Sequence, residues 1–360
     1  MKLIGNEDIF KQLEVSVASA QTENKSIPHT LLSGAAGCGK TSVARFIAET
    51  FGCDFITLSP ESIQDGNDML RVKGLLNSKG YNSIGDIVDQ ITPTVVFIDE
   101  VHRLKTTGQE HLGLAMENWA IPVEEKQVRV GLASKFGYAL KGRIRWCPRF
   151  TLVGATTNDG LLSKPFRDRF KLRFLLNIYG LEESIKIVIV HAKRLNEENA
   201  KRTAIDKIKK IMLTRGAVIE IAKRGRGVPR ILVALLERCR DMAISHDMNV
   251  IDESMAVATF MLMGIDKSGL TQVDVKLMKS LYENQDPIGL DNLAIIINES
   301  QQTIKDTIEP HLIQEGLIAR AQRGRILTSK GRRYLMENNL IKYDEKEDFI
   351  DIPATYERRI

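Results

Sequence analysis

The sequence predicts an α/β fold, continued by an all-helical segment and closed by a small unit of three helices and a β-hairpin. Three observations carry this. Residues Gly34-Ala35-Ala36-Gly37-Cys38-Gly39-Lys40-Thr41 complete the pattern G-x-x-x-x-G-K-[ST], with a buried-strand run from Thr30 to Ser33 before it and a helical pattern from Thr41 to Phe51 after it. Val95-Val96-Phe97-Ile98 is the apolar run a central parallel strand requires, and it ends in Asp99-Glu100. Beyond Gly269, three helical stretches precede two short strands around Gln322-Arg323-Gly324.

Each element has a chemical reading. Gly34, Gly37 and Gly39 let backbone N–H groups turn inward as an anion nest, and the helix that follows adds partial positive charge. In such a loop, Cys38 and Ser42 line the phosphates, Lys40 reaches the β- and γ-phosphates, and the Thr41 hydroxyl ligates Mg²⁺. The expected ligands are therefore ATP and Mg²⁺. Asp99, at a strand's C-terminal end, is placed to hold Mg²⁺ directly or through water, and Glu100 to activate the attacking water. Phe150 to Thr156 reads as a third buried strand, followed by Thr157 and Asn158, whose side chains reach the γ-phosphate or its water. In Pro165-Phe166-Arg167-Asp168-Arg169-Phe170, two arginines flank an aspartate after a short helix; one of them supplied in trans would stabilise a transferring phosphoryl group. Gly227-Val228-Pro229-Arg230 starts a helix to about Ser245, with Arg230 in its first turn.

Composition sets the bounds. A chain of 360 residues, 43% hydrophobic, holds two or three domains with real cores. Its net charge of +5 matters less than where the charge sits. No run is long and apolar enough to span a membrane, and Met1-Lys2-Leu3 opens no signal peptide, so a cytoplasmic protein is expected. The four cysteines form no C-x-x-C pair, which argues against a zinc site or a disulfide framework.

Leu181 to Met263 reads as helices: Glu182–Glu198, Ala204–Arg224, Pro229–Ser245 and Asp252–Met263. A linker, Gly264 to Gly269, leads to helices Thr271–Glu283, Leu290–Ile297 and Gln301–Glu315. Strands Leu317–Arg320 and Arg325–Thr328 complete the winged form of a helix-turn-helix. Between Gly316 and Leu335 stand Arg320, Arg323, Arg325, Lys330, Arg332 and Arg333 with no acidic residue, a set suited to DNA phosphates without sequence readout. Arg323, at the hairpin tip, is placed to enter a minor groove. A second basic stretch, Lys126 to Phe150, carries seven basic and no acidic residues, with Phe136, Tyr138 and Trp146 interleaved; it faces either DNA or a protein partner. The tail from Met336 has seven acidic against four basic residues.

The order of these motifs resembles the AAA+ ATPases and, more closely, the RuvB family of Holliday-junction branch-migration motors. The matching words are Phe97 to Leu104, Phe150 to Thr157, Arg167 to Phe170 and Gly227 to Ile231. In the C-terminal part they are Gly289 to Ala294, Ile308 to Gly316 and Arg323 to Arg325. The resemblance runs over about residues 3 to 335. It implies an AAA+ P-loop ATPase core (1–179), an all-helical lid (180–264), a C-terminal winged-helix domain (265–335) and an acidic tail (336–360). It implies a homohexameric ring acting on double-stranded DNA and Holliday junctions. Lys40 and Thr41 would be the Walker A residues, Asp99 and Glu100 the Walker B residues, and Thr157 or Asn158 sensor 1. Arg169 would be the arginine finger, Arg230 sensor 2, Ile4 part of the adenine-side motif, and Tyr179 an aromatic near the base.

The sequence also departs from the family. Ala35-Ala36 replace two prolines, residues from about 66 to 83 form an insertion carrying Lys79-Gly80-Tyr81, and the 119–149 hairpin is longer. In the family that hairpin docks on the junction-binding partner RuvA, so a RuvA-like loader or a substitute partner is expected there. Two other readings compete. A clamp-loader-like switch would be stimulated by primer–template and clamp, and a protein-remodelling ring would depend on Tyr81. The C-terminal domain favours the DNA motor.

Overall fold

The computed structural model describes residues 4–23, 25–63, 94–123, 143–146, 149–202, 210–284 and 286–341. The 66–83 insertion with Tyr81, the middle of the basic hairpin, Leu3 and the tail beyond Ile341 lie outside the described residues. The chain forms two compact units, residues 1–210 with 227–237, and residues 211–226 with 238–360.

The first unit contains β1 (Thr30–Gly34), β2 (Asp54–Leu58), β3 (Thr94–Ile98), β4 (Ala120–Val123), β5 (Arg143–Trp146), β6 (Phe150–Thr156) and β7 (Leu172–Leu176). Five of these make a parallel sheet in the order β2-β3-β6-β1-β7; β4 and β5 pair apart from it as an antiparallel hairpin. Every residue of β3 and of β6 is buried, as strands covered on both faces must be. Alternation sends Leu31, Val96, Ile98, Phe150 and Leu152 to one face. Leu32, Val95, Phe97, Val153 and Ala155 go to the other. Helices α1 (Glu7–Thr22) and α2 (Lys40–Phe51) cover the second face with Leu13, Val17, Val43 and Ile47. Helices α3 (Thr106–Asn118) and α4 (Lys164–Asp168) cover the first with Leu112, Met116 and Phe166. Helix α5 (Leu181–Arg202) follows β7.

His29 pins the sheet to α3 and to the root of the hairpin. Its Nδ1 accepts the Leu152 N–H at 2.9 Å, and its Nε2 faces the Met116 carbonyl at 3.2 Å, which makes Nε2 the protonated nitrogen. The ring packs against Trp119 and Phe150. Burial holds its pKa down at about 4.

In the second unit, β8 (Met212–Leu213) and β9 (Val250–Ile251) form a short parallel pair, and α6 (Arg215–Arg224) begins only after them. The expected helix from Ala204 to Arg224 is thus corrected. Thr214 has extended backbone and its side chain accepts the Ala217 N–H, so the helix starts at this cap and the segment is not all-helical. Helix α7 (Pro229–Ser245) begins in the first unit. Helix α8 (Glu253–Leu262) packs on α6. Thr271 and Asp274 form a capping box at the start of α9 (Gln272–Glu283). Arg226, with φ 53°, donates twice to the Gly269 carbonyl and ion-pairs with buried Asp274, tying the end of α6 to that cap.

Helix α10 (Leu290–Ile297) follows α9. The expected helix 301–315 is broken into α11 (Gln301–Thr303), a π turn (Ile304–Ile308) and α12 (Glu309–Gln314), with Pro310 at the restart. The hairpin is β10 (Ile318–Ala321) with β11 (Gly324–Leu327), one residue later and one earlier than expected. Gly324 lies so close to Ile288 that a Cβ there would sit 2.3 Å from its carbonyl oxygen. The chain continues as α13 (Ser329–Glu337), capped by Thr328, where the sequence reading had only basic residues and a tail.

His29 and the half-buried His311 are both held near pKa 4, chiefly by burial. The unfolded chain takes up their protons as pH falls through 6.5, while the folded chain refuses them until about 4. Stability is therefore complete above the unfolded value and is lost between the two, by about 3 kcal/mol at most for His29 and by less for His311, which solvent screens more. Urea midpoints across that window should fall with pH, and His29→Gln, weaker at neutral pH, should show a shallower fall. An unchanged slope would contradict the assignment.

A candidate phosphate site at the strand ends

The register brings the site together. Ser33 pairs with Thr156, and Ile98 with Gly154, so the ends of β1, β3 and β6 lie along one edge. Ligands bind at that edge in open α/β sheets. The phosphate loop leaves β1 and enters α2 at Gly39, whose φ is 93°. At Gly37, with φ 80°, a Cβ would sit 2.9 Å from the Arg230 Cβ and 3.0 Å from a Val228 methyl, so only glycine lets the loop rest on residues 228–230. The Arg230 N–H donates to the Gly37 carbonyl at 3.4 Å.

Lys40 is 6% exposed and donates to the carbonyls of Gly34 and Ala35 at 2.8 and 3.0 Å. Burial lowers its pKa, and the nearby Glu100 and Asp99 draw it back up. Thr41 follows on the same turn, half-buried. Cys38 is buried, and burial pushes its thiol pKa up, which makes it a loop filler and a poor nucleophile.

Asp99 is exposed, one oxygen accepting the Glu100 N–H at 3.1 Å. Glu100 has φ 48° and ψ 49°, a left-handed conformation costing about 1–3 kcal/mol for a residue with a Cβ. Its Oε2 accepts the Thr157 N–H at 3.1 Å and the Thr157 hydroxyl at 3.0 Å. The structure thus places Thr157, of the two sensor candidates, on Glu100; Asn158 donates its N–H to Thr156 Oγ1 at 3.0 Å.

Ile4, Ser42, Tyr179, Val190, His191 and Arg194 line a cavity beside the loop. Tyr179 donates its hydroxyl to the Cys38 carbonyl at 3.4 Å and its N–H to the Gly227 carbonyl at 2.9 Å. The last three cavity residues of α5 carry no motif, and sequence reasoning did not single them out. Arg169 lies apart from the loop residues. It donates to Glu117 at 3.1 Å and to the Pro165 carbonyl at 2.9 Å, with its stem over Gly113.

On the second unit the basic set divides. Glu309 is fully buried and accepts from Arg325 Nε and Nη2, both at 3.1 Å, and from Arg320 Nε at 2.7 Å. Burial raises the Glu309 pKa, but those hydrogen bonds outweigh it and hold the carboxyl below its usual range. Arg325, 14% exposed, is therefore turned inward, a correction to its expected place on a DNA surface. Arg320 keeps 62% of its side chain exposed. Lys330 caps the Glu315 carbonyl at 2.5 Å, and Arg332 stacks over Tyr282. Arg323, at the turn, is exposed. Glu309 stands in a word quoted above from sequence, yet only the structure shows its role.

A phosphate loop, a strand-end Asp-Glu, a buried third strand with a polar end and a first-turn arginine on a parallel β2-β3-β6-β1-β7 sheet define a P-loop ATPase of the AAA+ class. Comparison takes this further. Residues 1–176 match the family model described as Holliday junction DNA helicase RuvB P-loop domain, 192–266 the RuvB AAA lid domain, and 267–336 the RuvB C-terminal winged helix domain. The chain is 34% identical to the Holliday junction branch migration complex subunit RuvB of Orientia tsutsugamushi (strain Boryong), over 92% of this chain and 91% of that protein. It is also 34% identical to the subunit of the same name from Campylobacter lari, over 95% and 92%. The structure titled Thermotoga maritima RuvB Holliday junction branch migration motor superposes with a TM-score of 0.71 at 30% identity, covering 92% of this chain and 95% of that one. This chain belongs to the RuvB family.

The two kinds of arginine on the hairpin separate experimentally. Arg325→Ala leaves Glu309 buried without its two-point partner and should cost about 3 kcal/mol, read as a lower melting temperature. Arg323→Ala should leave the melting temperature unchanged and weaken duplex binding with a reduced salt slope. Equal melting losses in both variants would contradict this division.

Proposed function

We propose that the chain is an ATP-driven motor on double-stranded DNA that branch-migrates Holliday junctions, working as a homohexameric ring. The observation that carries the reading is the convergence of Lys40, Asp99, Glu100 and Thr157 on one sheet edge, in a chain that also carries the winged-helix unit. Lys40 exchanges its two carbonyl partners for the β- and γ-phosphates of ATP. Glu100 takes the proton of a water attacking the γ-phosphorus, and ADP leaves. Arg230 contacts nucleotide in cis. Arg169 of a neighbouring copy leaves Glu117 and stabilises the transferring phosphoryl group, an effect worth ~10³–10⁵ in rate.

The donor set fits Mg²⁺. The Asp99 carboxylate and the Thr41 hydroxyl are hard oxygen ligands, and Mg²⁺ takes one or two such groups plus phosphate oxygens. Bound there, it would neutralise charge on the β- and γ-phosphates. Ile4, Ser42 and Tyr179 border the base-side cavity. The division into core (1–179), lid (180–264), wing (265–335) and tail (336–360) is our reading, with α13 carrying the wing to residue 337. Arg323, with Arg320, Lys330 and the half-buried Arg332 of the same unit, grips the backbone of duplex DNA. The 119–149 hairpin meets a RuvA-like loader or a protein that replaces it.

Purified protein with a labelled four-way junction, Mg²⁺ and ATP tests this reading. Conversion to duplex arms is expected, alone or on adding a junction-binding partner. Arg169→Ala and Lys40→Ala should abolish it, the second with loss of nucleotide binding. ATP hydrolysis stimulated by primer–template and a clamp, with junctions inert under all conditions, would overturn it in favour of a clamp-loader-like switch.

A further inference from the structure

The imidazole of His102 has no part in the roles assigned so far, yet it touches the group on which they turn. His102 lies in the single turn Val101–Arg103 after Glu100, with its side chain 14% exposed. Its Nδ1 is 3.2 Å from Glu100 Oε2 and 2.9 Å from Thr156 Oγ1. A ring nitrogen presenting a lone pair to a carboxylate at that distance would be repelled, so Nδ1 carries the hydrogen. Glu100 Oε2 accepts two hydrogen bonds, from the Thr157 N–H and the Thr157 hydroxyl, while the Nδ1–H, hydrogen-bonded to Thr156 Oγ1, stands beside the same oxygen as a favourable dipole. Oε1 carries none of these bonds. Thr156, itself buried, also accepts the Asn158 N–H, so the imidazole joins Glu100 to the last turns of chain at the end of β6.

We propose that His102 is a positioning residue for hydrolysis. It fixes the Glu100 carboxylate through one oxygen, so that the other is presented to the attacking water, and it ties that orientation to the end of β6. The inference rests on the reading of Glu100 as the base. It explains how a left-handed residue on an exposed edge keeps a single side-chain direction with no donor on its reacting oxygen among the described residues. Thr157 alone would leave the carboxylate free to pivot about one side chain; the imidazole, held on Thr156, stands 3.2 Å from the same oxygen on the turn that follows β3.

Steady-state ATP hydrolysis by the full chain, with fluorescent-nucleotide binding measured separately, tests the proposal. His102→Ala should lower kcat by about tenfold or more, within the range that positioning of a general base supplies, and leave KM and nucleotide Kd within about twofold. His102→Asn puts an amide nitrogen where Nδ1 stands and should restore kcat to within about threefold of the natural protein; His102→Gln puts it at the Nε2 position and should not. Should His102→Ala fail to fold, the Asn and Gln pair decides. Unchanged kcat in His102→Ala, or equal kcat in Asn and Gln, would overturn the proposal. Glu100→Gln separates the two levels. If it binds ATP without hydrolysing while His102→Ala is fully active, this inference alone falls. If Glu100→Gln hydrolyses normally, the reading of Glu100 falls and takes this inference with it.

Discussion

The parallel pairing of β1, β6 and β3 is the constraint on which the site depends. Three strands far apart in sequence must end level with one another, and one slip of register would send each strand's side chains to the opposite face of the sheet. The two apolar faces enforce that register: Leu31 and Leu152 pack on one side, Leu32 and Val153 on the other. Gly154 leaves little room, since a Cβ there would meet Phe170 and Val101 at 3.2 to 3.3 Å. The same small residue lets the segment bearing Arg169 and the segment bearing Glu100 pack across β6. Core packing thereby sets the positions of charged groups that make no core contact themselves.

Charged side chains in this protein are kept where a partner holds them. Lys40 rests on two loop carbonyls, Arg169 on Glu117, and Arg325 on Glu309. These contacts differ in kind. The half-exposed Glu117 carboxylate can be exchanged for phosphate at small cost, since exposed pairs contribute about 1 kcal/mol or less, and Lys40 would trade two neutral carbonyl oxygens for charged phosphate oxygens. Buried Glu309 cannot be left unpaired, so its arginine belongs to the architecture of the hairpin. A count of basic residues treats these groups alike; their burial separates them.

This difference marks what was legible in the sequence. The phosphate loop, the apolar β3 with its Asp-Glu end, the β6 strand, the capped helix α9 and helix α10 could be read because each is specified by a local pattern. The winged unit could be read from helix spacing and a turn signal. Short or partner-dependent features could not. Met212 and Leu213 become a strand only because Val250 and Ile251 lie beside them, and a helical pattern over 204–224 concealed the Thr214 cap. Edge strand β7 has only a weak alternation, and α13 a polar sequence. In the site, the residue types were legible but their pairings were not. No spacing rule predicts that Thr157 bonds Glu100, that Glu117 holds Arg169, or that Arg325 turns inward.

The central claim is that the β1–β3–β6 edge is the hydrolytic site, with Glu100 held through Oε2 and offering Oε1 to the attacking water. A structure of the chain with ADP, Mg²⁺ and aluminium fluoride tests it most directly. The account predicts the fluoride group at that edge, Lys40 moved from the Gly34 and Ala35 carbonyls onto phosphate oxygens, and the water opposite ADP hydrogen-bonded to Glu100 Oε1 with Oε2 still on Thr157. A water held by another residue, with Glu100 turned away from it, would contradict the account.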